Sequence, residues 1–597
     1  MAYIKIQDIK DSTMRMRGVR RYIIVVISVM LCHLSFAWQG EKWDSKVQFW
    51  WPEQKVPKGV VICKPLPGNL QEQMLAQSLA GLAARSVNSG EGDEMVWVRT
   101  TNSSYAKWYK QIVSKFRAEE RGTFDVWSLV ERYRKNGVIR GYILYEADES
   151  VGGIYHERDN INVSVNVATA YAGVYQGILV DESMKNKAAS LGLDMLFDAR
   201  NVTPEKCFAN LKNKLFRGML VCGDPKAFNN RDMAIAHGAM FHYGVGEFLE
   251  EILEWMNPVS PVVGWNLGDE SGHTAPVSEW GHFNTASDWC QNLTLLSAGA
   301  RNTKILKPKR FDNSKIDWKD KRSVHSFVMS DGDNMQWSIG NFINNPSYWG
   351  NPLHGKFPMS WTMCPFNLAM MVPDVWNEMV KSKPGNVSMV EYGGGYQYPD
   401  LFAKRRANRE QIQRQFARMC NQYMEQTGVY IFGLICKNIY SEDVKKACEI
   451  YAEEMENLEA IIAVQYVPYQ KGNGDIIWVK NKKGKKIPVI TAKYSLWANL
   501  TGERVGGPAI IADLINANAK AAKSNGKKNL DWTVVHAWSK YQKESNGSIV
   551  DIKKGEVGEK GVTPVSWCVD GIDKESVKVV SLEELIYRIK EQKENSK

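Results

Sequence analysis

The chain has 597 residues, more than one hydrophobic core normally organises, so two or more domains are expected. Apolar residues make up 44% and charged residues 24%, an ordinary globular balance that excludes a disordered or fibrous chain. The net charge of +10 thins out along the sequence: residues 1 to 37 hold six Lys or Arg against two Asp, which leaves +6 for the remaining 560, too dilute for a nucleic-acid partner.

The first predicted element is an export signal at 1–37. Arg20 and Arg21 precede an apolar run from Tyr22 to Leu31, and Ser35-Phe36-Ala37 puts small residues where a signal peptidase cuts. The run is too short to span a bilayer, so the mature chain is expected without a membrane span, in the periplasm or at or beyond the cell surface. A lipid anchor at Cys32 fits less well, because Leu31 is large where a lipoprotein signal takes a small residue. The later cysteines, from Cys63 to Cys568, form no CxxC pair and sit in apolar runs such as VVIC. They read as buried hydrophobes, with no zinc site and no disulfide framework.

From 38 to 300 the pattern predicts an N-terminal domain of divergent β-α repeats. Four β-branched runs, starting at Gly59, Gly141, Arg217 and Pro261, are each followed by an Ala-rich amphipathic stretch, the last beginning at Ala286. Residues 301–323 are charged, contain Pro308 and lack periodicity, which suits a linker. Beyond them strand-like runs recur at Phe327, Met359, Met389, Ile431, Ile461, Val489, Val534 and Val565, with helical fillers at Arg409–Gln426, Ser441–Asn457, Ile511–Ala522 and Leu582–Glu591. A hairpin is expected to turn at Gly484. The fold class is therefore α/β, with a seven- or eight-stranded β/α barrel over 324–597 and a doubly wound open sheet as the competing arrangement.

In a β/α barrel the working residues lie just past the C-terminal ends of the strands. Those positions hold Asp331 and Asp333 around a glycine, Glu391 before Gly393-Gly394-Gly395-Tyr396-Gln397-Tyr398-Pro399, and later Lys493, His536 and Trp538. Two aspartates one residue apart suit acid–base work, because close like charges raise one partner's pKa. The same Asp-Gly pair also suits a plain turn, and Met335 stands where an EF-hand-like metal loop needs an oxygen ligand. Asp269 and Glu270, at the end of the fourth upstream run, raise the same question.

The string EYGGGYQYPD matches G-x-G-Y-x-Y-P at Gly393, Gly395, Tyr396, Tyr398 and Pro399. It resembles the signature of the GxGYxYP-domain family of gut Bacteroidetes, whose members are read as glycoside hydrolases associated with polysaccharide utilisation. The resemblance implies an N-terminal domain of divergent repeats, a seven-stranded β/α barrel and a site in the cleft between them. It also implies that the acids fall on Glu270, Asp331 and Asp333. On this reading Glu270 is the general acid and the two aspartates are the base side, acting on a carbohydrate without a cofactor or metal. Asp269, Glu391, Tyr396, Tyr398, Lys493, His536 and Trp538 are the expected substrate-binding groups. A glycan-binding protein without turnover and a metal-assisted deacetylase-like hydrolase are the other two readings.

Overall fold

The computed structural model describes residues 50–553 and 556–595, so the predicted leader at 1–37 lies outside the described residues. In the first half, short β-branched runs pair in parallel because the helix after each returns the chain to the starting end of the sheet. Three small parallel sheets result. Gly59–Lys64 lies between Glu94–Val98 and Glu119–Asp125, and Gly141–Tyr145 lies between Gly177–Asp181 and Met195–Asp198. The third sheet runs in the order Phe283–Thr285, Pro261–Gly264, Leu220–Cys222, Met240–His242. The runs expected to open a third and a fourth repeat therefore share one sheet.

The helix Leu70–Ser89 packs into this half with 14 of its 20 residues buried, an apolar surface on nearly every side. Asn69 caps it by accepting from the Glu72 amide, and Gly90 ends it in the left-handed region. The stretch from Ala286, expected to be a long helix, forms only the short helix Leu293–Leu296. Polar side chains draw the rest elsewhere: Ser287 Oγ accepts from Gly264 N at 3.0 Å, and Asn292 bonds both backbone groups of Val98.

The second half is α/β, as expected. Its central strands are buried on both faces, as in the IFGLIC run of Ile431–Cys436, which suits parallel neighbours covered by helices. One sheet takes the order Lys486–Thr491, Ala460–Gln465, Ile431–Cys436, Val387–Tyr392, Met359–Met363, Ser323–Met329, Leu530–Val535, Tyr494–Leu496, all of these neighbours parallel. The sheet curls until one stretch of chain touches both its sides. Ala492 N donates to Ala463 O at 3.2 Å, and the next amide, Lys493, donates to Trp532 O at 3.0 Å. Ile476–Lys480 adds the expected antiparallel hairpin, with Gly484 at φ 78° in its turn.

The fillers form the helices Arg409–Thr427, Glu442–Glu454, Pro508–Ser524 and Leu582–Glu594. In the first of these, Ile412, Phe416, Cys420, Tyr423 and Met424 recur on one buried face. Val565, read as strand, lies in the helix Val562–Asp570, because Pro564 in the first turn fits a helix start and would remove a ladder donor from a strand. Residues 301–323 are irregular, yet they strap onto the sheet's helices: Trp376 Nε1 donates to Leu306 O at 2.8 Å, and Phe311 stacks on Tyr587. All nine cysteines among the described residues are buried and free.

Candidate active site

At the C-terminal end of Ser323–Met329 the chain turns sharply through Asp331, which adopts φ 64°. Gly332 then presses against the next strand. Its amide donates to Thr362 Oγ1 at 3.1 Å, and Thr362 Oγ1 donates to Met329 O at 2.8 Å. A Cβ built on Gly332 would lie 1.7 Å from Thr362 O, so only glycine fits between the two aspartates. Gly332→Ala is expected to cost about 1–3 kcal/mol of stability by overpacking, read as a lower urea midpoint. An unchanged midpoint would remove this constraint.

The Gly393–Gly395 turn follows Val387–Tyr392, and its glycines have φ of 85°, 68° and 109°. A Cβ on Gly395 would meet the Phe283 ring at 2.5 Å, and one on Gly394 would meet Cys420 Sγ at 2.7 Å. The close approach lets Tyr396 pair with Asn284 of the upstream sheet through two backbone hydrogen bonds of 2.9 Å. Two residues on, Tyr398 N donates to Ser278 Oγ at 3.0 Å, in the helix Glu270–Glu279. The motif therefore fixes the helix that carries Glu270 against the strand ends that carry Asp331 and Asp333.

Glu270 is the first residue of that helix, and Asp269 caps it, accepting from Gly272 N at 2.7 Å. The Tyr396 hydroxyl donates to Glu270 Oε2 at 3.2 Å. Burial first and the charge of Asp331 second push the Glu270 carboxyl up to about 7, against the Tyr396 hydrogen bond, which lowers it. Burial, then the charges of Asp331 and Glu270, hold Asp333 well above the ordinary carboxylate range. Asp331 itself is an acceptor on both oxygens: Trp538 Nε1 donates to Oδ1 at 2.9 Å, and the Ser330 hydroxyl donates to Oδ2. The three carboxyls from two distant parts of the sequence thus share one neighbourhood. All three are partly open to solvent.

The other expected residues divide. Trp538 is 40% exposed beside Asp331. His536 feels the Asp331 charge, which raises it against a larger lowering by burial, and its ring stacks flat on Trp497 at 3.7 Å. Glu391 is not a substrate contact: it is fully buried, and its oxygens accept from Phe366 N and Gly394 N at 2.9 and 3.0 Å. It shapes the glycine turn instead, with burial pushing its carboxyl up to about 8. The rings of Tyr396 and Tyr398 are buried between the two halves, so neither offers a face to a sugar; only the Tyr396 hydroxyl reaches the acids. Lys493 is drawn away from the cluster by Asp531, 3.0 Å distant, which also pairs with His325 and accepts from Asn518. Sequence reading passed over two aromatics that burial and acid charge place here, Tyr392 and Tyr469, both feeling Glu270 and Asp331. Tyr469 follows the strand Ala460–Gln465, but in a loop with no motif to mark it. Among the described residues no group of three or more His, Cys, Asp or Glu has a metal-holding arrangement, and no helix is long and apolar enough to cross a membrane.

Three domains of one family match the sequence. They are the GxGYxYP_N second domain over 139–215, the GxGYxYP third domain over 217–298, and the "GxGYxYP putative glycoside hydrolase C-terminal domain" over 322–590. A crystal structure described as a putative hydrolase from Bacteroides thetaiotaomicron shares the fold, with a TM-score of 0.72 at 22% identity over 92% of this chain and 98% of that one. No curated protein matches.

Proposed function

The chain belongs to the GxGYxYP family, and from that membership and the acid cluster we propose that it hydrolyses a glycosidic bond between sugars of an oligo- or polysaccharide. The observation that carries this reading is the convergence of Glu270 with Asp331 and Asp333 under the GxGYxYP turn. Glycoside hydrolysis needs a carboxylic acid that holds a proton at neutral pH and a carboxylate that activates water. Glu270, up at about 7 and hydrogen-bonded by Tyr396, suits the acid that protonates the leaving oxygen. Asp331, fixed by Trp538 and Ser330, suits the base that takes the water's proton. Asp333, held well above the ordinary carboxylate range by burial first and then by the charges of Asp331 and Glu270, orients that water as a hydrogen-bond donor.

The wider reading rests on the same grounds. The curling of the sheet over 323–535 supports a seven-position β/α barrel, with 486–496 read as one strand that touches both sides. The N-terminal part, 38–300, and the barrel, 324–597, are the two working domains, joined by 301–323. The 1–37 leader makes this an exported enzyme meeting glycans outside the cytoplasm.

The test is reducing-end release from a panel of plant, fungal and animal glycans by purified protein, before and after dialysis against a chelator. Release that survives chelation supports carboxylate chemistry; no release from any glycan would leave the reading without support. A pH profile sharpens it. Tyr396→Phe removes the donor that stabilises ionised Glu270, so the carboxyl rises further and the alkaline limb of kcat/KM is expected to move to higher pH. A limb that stays in place would separate Glu270 from the acid role.

A further inference from the structure

The short helix Met335–Ile339 starts just after Asp333-Asn334 and has aromatic neighbours on both sides. On one side, Trp337 meets Trp538 with ring centroids 4.9 Å apart, next to Asp331. On the other, Gln336 Oε1 accepts from Trp289 N at 2.6 Å, and the Gln336 side chain draws the Asp288 carboxyl down against its burial. Trp289 is 61% exposed, the most exposed tryptophan of the described residues, although its neighbours Asp288 and Cys290 are buried. Asp288 is 8% exposed and among the described residues makes no ion pair; burial holds its carboxyl up at about 6. An exposed indole beside a nearly buried acceptor with no cation offers a ligand a stacking face and a hydrogen-bond acceptor together.

We propose that Trp289, Asp288 and Gln336 form a sugar-binding subsite across the Met335–Ile339 helix from the acid cluster, so that the substrate is a glycan chain of several pyranose units. This rests on the glycosidase reading of that cluster. A pyranose ring has an apolar C–H face that stacks on an indole and a rim of hydroxyls that need acceptors and donors. Trp289 supplies the face, the Asp288 carboxylate accepts from ring hydroxyls, and the Gln336 amide both donates and accepts. Trp538 supplies a second face beside the reacting bond. Two platforms on either side of one helix turn fit an extended chain of sugars.

The experiment uses the Asp333→Asn protein, so that turnover does not consume the probe, on an array of plant, fungal and animal oligosaccharides of two to ten sugars. Affinity is expected to rise with length within at least one series, and adding Trp289→Ala is expected to lower it about tenfold on the longer members while leaving the shortest unchanged. Asp288→Asn is expected to act in the same direction. Equal binding of the longest members with and without Trp289, or no length dependence at all, overturns the subsite, as does an array on which nothing binds. Length-dependent binding by a wild-type protein that releases no sugar keeps the subsite and removes the hydrolase reading. Sugar release by a wild-type protein whose Trp289→Ala form shows unaltered length preference does the reverse.

Discussion

Replacing Glu270 by Gln is expected to lower sugar release about 1,000-fold while making the folded protein more stable in mildly alkaline solution. Both effects come from the same burial. The carboxyl is pushed from 4.5 to about 7 because its charged form is poorly solvated and faces Asp331. A carboxyl raised in the folded state binds its proton more tightly there than in the unfolded chain, so wild-type stability falls as pH rises from about 4.5 to about 7. Glutamine carries no proton to lose. Allowing for partial exposure, the variant is expected to gain about 1–3 kcal/mol over wild type at pH 8, with the gain vanishing near pH 4. Asp331→Asn and Asp333→Asn are expected to lose activity to a similar degree. Denaturant midpoints at the two pH values, set beside release assays, check both halves. Full activity in any of the three variants removes that residue from the chemistry, and a Gln variant that is less stable at pH 8 than wild type would mean Glu270 serves the fold.

Where sequence and structure meet, the difference is one of range. Period-2 and 3.6 patterns are local, so Ile431–Cys436, Arg409–Thr427 and the hairpin at Gly484 were legible from neighbouring residues alone. The Asp-Gly-Asp and Gly-Gly-Gly-Tyr strings were legible for the same reason: each packs its chemistry into a few residues. What was lost depends on contacts across hundreds of positions. The stretch after Ala286 has helical composition, but Ser287 and Asn292 are claimed by Gly264 and Val98, and Asp288 and Trp289 are left in a loop. Glu391 has the residue type of a substrate contact, and nothing local shows that the Phe366 and Gly394 amides use up its oxygens. Lys493 stands at a strand end, yet Asp531 on the neighbouring strand holds its charge. Tyr396 has a different lesson: a ring expected to meet sugar is buried, and its hydroxyl works on the acid instead.

Arg158→Met is expected to cost about 3–5 kcal/mol of stability at pH 7, the largest effect on folding of any change considered. The Arg158 side chain is 1% exposed, and it pairs with Asp224 at 2.7 Å and Asp148 at 3.0 Å, both carboxyls fully shielded from solvent. It also donates to Gly153 O and Ser150 Oγ, which closes the loop at 146–163 upon itself. Methionine fills much of the volume but leaves two buried carboxyls without a cation. Against burial, which raises both, Arg158 and backbone amides hold Asp224 below its ordinary range, and the Asn162 amide, the Ser150 hydroxyl and amide and Arg158 do the same for Asp148. Their contribution is therefore complete above about pH 4 and is lost as pH falls through the depressed values. In the variant the same acids, desolvated and unpaired, take up protons at higher pH, which relieves the penalty. The gap between the two proteins should thus be widest at neutral pH and narrow toward pH 4, measured by urea unfolding at both. The consequence reaches the site, because this loop carries Tyr155, which feels the charge of Asp288 next to Trp289. A variant that keeps its fold at pH 7 with a loss below about 1 kcal/mol, or whose deficit widens in acid, would show that the loop is held by its backbone contacts and not by the triad.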